Sequence, residues 1–234
     1  MKTRALLGLW MLLTLTGLHA DFARAADPAP SANAKKSTIA YRPPLRGAPL
    51  SRVGGGTRSI RAADLQVEVL APEDIGFTLQ AQPTFFWYCS RAISAPVEFA
   101  LVRPNVPEPV IEVTLEGPFA AGIHVVDLRD YAAKLEPEVD YEWFISVVFD
   151  PAQRSNDVTA GASVRQLGAN DGIRSSLPTG TADGVDYAEA GVWYDALAAL
   201  SANIVSQPTA ETPRLQRAEL LRQVGLPAAA AAAQ

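Results

Sequence analysis

Strict two-residue alternation of apolar and polar side chains, carried at two points by dense aromatic runs, constrains this chain more than any other feature. The runs are Pro83-Thr84-Phe85-Phe86-Trp87-Tyr88 and Tyr141-Glu142-Trp143-Phe144. Successive side chains of a strand point to opposite faces, so a period of two predicts a sheet with one buried and one wet side. Phe85, Trp87 and Cys89 share one face of the first run, and Phe86 and Tyr88 share the other. Leu65, Val67 and Val69 alternate in the same way. So do Val97, Phe99 and Leu101 against Glu98, and Ile111, Val113 and Leu115 against Glu112, Thr114 and Glu116. Between Gly122 and Leu128 the pattern predicts Ile123 and Val125 inward and His124 outward. From Asp140 to Phe149 it predicts an unbroken apolar face of Tyr141, Trp143, Ile145, Val147 and Phe149. Short strands at this spacing, with no helical stripe among them, predict a mainly β fold, a sandwich over residues 63–168.

The flanks differ in kind. Lys2 and Arg4, an apolar run from Ala5 to Leu18 and small residues at Ala23, Ala25 and Ala26 have the three-part layout of a signal peptide over residues 1–25. The apolar run is shorter than the roughly 20 residues a spanning helix needs. Cleavage after Ala25 would deliver a periplasmic or secreted protein of about 209 residues with no transmembrane segment. Residues 26–62 then read as a disordered basic arm rich in Pro and Gly. From Asp27 to Arg61 there are seven basic residues against one acid, a net of +6 inside a chain whose overall net charge is −5. Such an arm could touch an anionic membrane surface or an acidic partner, or serve as a spacer over its own acidic domain. Residues 169–185 read as a linker and residues 186–226 as a helical hairpin. In the first helix Asp186 and Glu189 are placed for a capping box, with Tyr187, Ala190, Trp193, Leu197, Leu200 and Ile204 on one face. In the second, Leu215, Ala218, Leu221 and Val224 face inward. The fragment Gly191-x-Trp193-x-x-Ala196-x-x-x-Leu200 is similar to part of a tetratricopeptide repeat, but one repeat cannot bury its own face. Self-docking over Phe86 and Tyr88, or docking on a partner, would cover the hairpin. The Ala-rich tail, 227–234, reads as frayed.

The residue inventory excludes much chemistry. Cys89 is the only cysteine, so no intramolecular disulfide can form, and a buried inert thiol is the expected state. Beyond the leader, His124 is the only histidine, which leaves His/Cys metal sites and serine triads without components. No phosphate-cradling glycine motif follows a strand, and nothing suggests a nucleic-acid partner. No catalytic residue, metal or cofactor is assigned. The best polar cluster is Asp150-Pro151-Ala152-Gln153-Arg154-Ser155-Asn156-Asp157, either a turn closed by internal pairs or a recognition loop presenting Arg154. Candidate binding residues are therefore Asp150, Arg154 and Asp157, with Phe86 and Tyr88 on the outer strand face.

Taken together, Arg46-Gly47-Ala48-Pro49, Leu79-x-x-x-Pro83-Thr84-Phe85-Phe86-Trp87-Tyr88, Tyr141-x-Trp143-Phe144, Asp150-Pro151-x-x-Arg154-Ser155-x-Asp157 and Ala190-Gly191-x-Trp193-Tyr194-Asp195-Ala196-Leu197 resemble the exported bacterial family catalogued as domain of unknown function 928. Phe149 stands where that pattern often carries a cysteine, so no thiol role carries over. The resemblance implies an envelope protein with an immunoglobulin-like core and no established reaction. Separately, the spacing Leu135-x-Pro137-x-x-x-Tyr141-x-Trp143 resembles the entry to the penultimate strand of immunoglobulin-like and fibronectin type III domains, where a tyrosine hydroxyl closes a corner on nearby backbone. The expected function is a non-catalytic interaction or accessory module with an envelope protein partner. The alternatives are a carbohydrate-binding sandwich and a hydrolase using carboxylates such as Glu142, Asp150 or Asp157.

Overall fold

The computed structural model describes residues 38–44, 52–55 and 64–234. The predicted leader and the rest of the basic arm lie outside the described residues. Among the described residues nine strands form two sheets. The first contains β1 (Val53–Gly55), β2 (Gln66–Val69), β4 (Thr84–Cys89) and β7 (Gly122–Asp127) in the order β1-β2-β4-β7. The second contains β3 (Gly76–Thr78), β5 (Val97–Val102), β6 (Ile111–Leu115), β8 (Asp140–Val147) and β9 (Val158–Gln166) in the order β3-β9-β8-β5-β6. All pairings are antiparallel except β3 with β9. The described fold is thus mostly β, in two sheets, with its α-helices after the last strand.

The inner faces carry the side chains that the alternation selects. Val67 and Val69 lie opposite Cys89 and Trp87 in register, and Phe99 and Leu101 lie opposite Ile145 and Trp143. Phe85 bridges the sheets, with ring centroids 4.7 Å from Trp143 and 5.6 Å from Phe99. Burying rings of this size contributes on the order of 2–3 kcal/mol each, a large share of the stability of a chain without a disulfide. At the corner before β8, the Tyr141 hydroxyl accepts a hydrogen bond from the Glu136 backbone N–H at 3.1 Å.

β7 departs from the expected phase. His124 pairs with Trp87 and lays its ring 4.6 Å from the indole, whereas Val125 is 58 % exposed. The imidazole is flat and apolar enough to extend the aromatic cluster of Trp87 and Phe119, and hydropathy alone does not register that.

The basic arm is less separate than its composition implies. Residues 53–55 form β1 and pair with β2. Gly54 is required there, because a Cβ would lie 2.5 Å from the Thr159 carbonyl oxygen. Arg52 is buried, donating to the carbonyls of Ala71 (2.9 Å) and Val224 (2.8 Å) and to Glu73 Oε1 (2.9 Å). Its charge therefore serves the fold and is not available to a membrane or partner.

The helices are α1 (Gly172–Ser176), α2 (Gly184–Glu189), α3 (Trp193–Ser206), α4 (Glu211–Gln223) and α5 (Pro227–Ala232). The expected linker thus contains α1 and the start of α2, and the expected single first helix is two. Asp183, and not Asp186, is the N-cap of α2: its Oδ1 accepts from Val185 N and Asp186 N, and Asp186 reaches back to Asp183 N. The chain breaks at Gly191, whose φ is +79°. Leu215 is 55 % exposed, since the buried face of α4 runs through Ala218, Leu220 and Leu221. The Ala-rich tail is α5, with Ala229, Ala230 and Ala233 buried. It packs against β7, and the Ala229 N–H donates to Glu68 Oε2 at 3.1 Å. Among the described residues no helix is long and apolar enough to cross a membrane.

The helices dock on the β core. Trp193 Nε1 donates to the Leu70 carbonyl at 2.8 Å. Tyr194 enters the core edge-on to Phe85, its hydroxyl donating to the Ser163 carbonyl (3.0 Å) and accepting from Trp143 Nε1 (2.8 Å). A strap of residues 38–44 crosses over them: Arg42 N donates to Ala188 O, Tyr41 N to Gln223 Oε1, and Gln223 Nε2 to Ile39 O.

Candidate functional site

The Asp150–Asp157 loop closes on itself. Asp150 Oδ1 accepts from Ala152 N at 2.9 Å, forming the turn. Arg154 donates through Nε to Asp157 Oδ2 (2.6 Å) and through Nη1 and Nη2 to the two oxygens of Glu98 on β5. Two carboxylates thus engage every nitrogen of the guanidinium and hold its pKa above the ordinary arginine value. One N–H on each Nη of this half-exposed guanidinium is left over from these pairs.

Phe86 and Tyr88 lie on the outer face of β4 as the alternation predicts. Phe86 is only 7 % exposed and belongs to the same buried cluster as Leu221, Leu226 and Ala229. Tyr88 is half-buried, in register opposite the buried Glu68. These two residues belong to the first sheet, whereas the Arg154 loop joins β8 and β9 of the second.

Cys89 and His124 are neighbours across β4 and β7, Sγ to Nε2 being 3.5 Å. Both address the Ala120 carbonyl, the thiol at 3.1 Å and Nε2 at 2.8 Å. A carbonyl only accepts, so Nε2 carries its proton and cannot draw one from the thiol. Burial pushes the Cys89 pKa up, the opposite of an activated cysteine.

A cleft of about 330 Å³ opens where the segment after β3 meets α2 and α3. Its floor is Tyr194 and Asp195 of α3 with Thr78 of β3, and its sides are Gln80, Gln82, Pro83 and Thr84, Tyr187 of α2, and Arg129. Asp195 is 7 % exposed and accepts from Thr78 Oγ1 (2.8 Å), Leu79 N (3.0 Å) and Gln80 Nε2 (3.1 Å). Burial, the largest effect, raises its pKa, and these hydrogen bonds oppose the rise. The Gln82 amide nitrogen is held by the carbonyls of Leu128, Tyr131 and Ala133, each at 3.1 Å. Arg129 is pinned by Asp127, Nε lying 2.9 Å from Oδ1.

Neither Asp195 nor this cleft is among the residues singled out from sequence. The signal was present in the segments carrying the family resemblance, Leu79–Thr84 and Ala190–Leu197, which form two sides of the cleft. A lone Asp inside a helical stripe gives no sign that it will meet a strand end more than a hundred residues earlier. Among the described residues no group of three or more His, Cys, Asp or Glu side chains could hold a metal ion.

Fold and site together define a two-sheet β module with a helical cover locked into its core and a polar cleft at the seam. The family model described as Domain of Unknown Function (DUF928) matches residues 53–234, and the chain belongs to that family. The match begins at β1, the first strand of the described fold. Comparison with curated proteins and with solved structures returns no match.

Proposed function

We propose that the chain is an exported, non-catalytic accessory module of the bacterial envelope that works by binding a partner, and that the seam cleft is the place of contact. The observation that carries this reading is the state of Asp195. Among the described residues it is the sole carboxylate lining the cleft, and three donors of the β3 end already hold it. Glycoside hydrolysis needs two carboxyl groups facing one bond. A single carboxylate fixed by internal bonds fits a rigid binding surface better than a hydrolytic centre. The layout of the leader supports export.

The strand order supports an immunoglobulin-like or fibronectin type III-like reading of the β core. β2, β4 and β7 fall in one sheet and β9, β8, β5 and β6 in the other, so the chain switches sheets in the manner of a Greek-key sandwich. Tyr141 at the start of the penultimate strand, bonded to backbone five residues upstream, matches the corner of such domains.

The test is cell fractionation followed by crosslinking of the tagged chain in envelope extract, comparing wild type, Tyr187→Ala and Arg154→Ala. Recovery in the envelope of a partner lost with Tyr187→Ala and kept with Arg154→Ala is the expected result. Cytoplasmic recovery, or turnover of glycan or ester substrates abolished by Asp195→Asn, would overturn the reading.

A further inference from the structure

We infer that the seam cleft takes an uncharged saccharide unit, an inference that rests on the binding reading above and names its ligand class. The charged groups of the cleft are each satisfied within the protein. Asp195 is held by three donors, and Arg129 is clamped by both oxygens of Asp127. A cationic ligand would therefore have to draw Asp195 from its three donors, and an anionic one would have to share the exposed Arg129 with Asp127.

What the cleft leaves available is neutral and of both senses. Gln82 has its amide nitrogen fixed on three carbonyls, so its amide oxygen is oriented as an acceptor. Gln80 is exposed and uses one amide hydrogen on Asp195, keeping the second hydrogen and its oxygen. The half-buried Thr84 and Tyr187 add hydroxyls that both donate and accept. Sugar hydroxyls have that same dual capacity. The Tyr187 ring supplies an apolar face for the C–H side of a pyranose, in the pattern of small-ligand sites that pair apolar surface with a few placed polar groups. At about 330 Å³ the cleft lies at the small end of ligand sites, roughly 300–1,000 Å³. That size suits one short unit and not a long polymer segment.

The test is calorimetry and saturation-transfer NMR on the purified chain, using the disaccharide of N-acetylglucosamine, cellobiose, a glucuronate-containing disaccharide and a lysine-containing tetrapeptide. The variants are Tyr187→Ala and Gln80→Ala, at half-buried and exposed positions, with unchanged melting curves as the check on folding. The expected result is binding of at least one neutral disaccharide, weakened about tenfold or more in each variant, a difference of about 1.4 kcal/mol. Binding of only the acidic disaccharide or only the peptide overturns the saccharide assignment. So does neutral-sugar binding that both variants retain in full. A chain that binds none of the probes, yet loses its crosslinked envelope partner with Tyr187→Ala, overturns the saccharide class and leaves the binding reading standing. Loss of neither overturns both.

Discussion

At the scale of single residues, the aromatic side chains divide by where their polar atoms go. Tyr194 is the tightest case, since its hydroxyl satisfies the buried Trp143 indole N–H and the Ser163 carbonyl together. Removing it with Tyr194→Phe keeps the ring and orphans both groups. Urea unfolding should show a loss of about 1–3 kcal/mol, the cost of leaving a buried polar group unmet. Cys89 supports a chemical prediction. Fully buried and with its pKa raised, the thiol should react with a disulfide reagent far more slowly in the native protein than in the urea-unfolded chain. Equal rates would place the thiol at the surface. The inward positions Trp87, Phe99, Trp143 and Ile145 were legible from sequence because each strand has one wet side and a period of two cannot slip without exposing a whole row. His124 was not, because its inward place follows from what lies across the strand, the Trp87 face, and not from its own polarity.

Elements were legible where they hold themselves and illegible where another segment holds them. β5, β6 and β8 announce themselves by pattern. β1 and β3 are three residues each and exist because β2 and β9 offer them an edge. The helical region shows the same dependence. A continuous stripe predicts one helix through Gly191, yet the strap lies so close that a Cβ there would stand 2.6 Å from the Arg42 carbonyl oxygen and 2.8 Å from Pro44 Cδ. The helix breaks at a glycine with positive φ to let the strap pass. Gly191→Ala should strain the backbone and lift residues 38–44 from α2 and α4. Limited proteolysis should then cut at the strap faster than in wild type while the β core survives, and an unchanged cleavage pattern would mean that the strap does not depend on this close approach. The candidate site had the same kind of invisibility: the Thr78–Thr84 segment and Asp195 become one site only through the docking of α3 on the β3 end.

At the scale of the whole molecule, two buried carboxyl groups tie the helical cover to the sheets, and they give the fold a pH dependence of definite sign. Glu68 on β2 accepts from Ala229 of α5 and from Gln66, with Arg52 contributing a favourable charge, and Asp195 of α3 accepts from the β3 end with Tyr187 nearby. Burial is the largest effect on both and raises both pKa values. A carboxyl raised in the folded state binds its proton more tightly there than in the unfolded chain. Its contribution is complete below the ordinary carboxylate range and is lost as pH rises through the raised value. Asp127 and Glu219 are lowered instead, by Arg129 and by Gln223 with Arg222, so their contributions are present above the ordinary range and fade as pH falls through the lowered values. The two pairs act in separate windows, below and above about pH 4–4.5. The melting temperature should therefore decline from that point toward neutral pH. Asp195→Asn should flatten the decline, because an amide keeps an oxygen for Thr78 and Leu79 and cannot ionise. If the variant melts with the wild-type slope, Asp195 is not a source of the dependence, and the junction between cover and sheets answers to Glu68 alone.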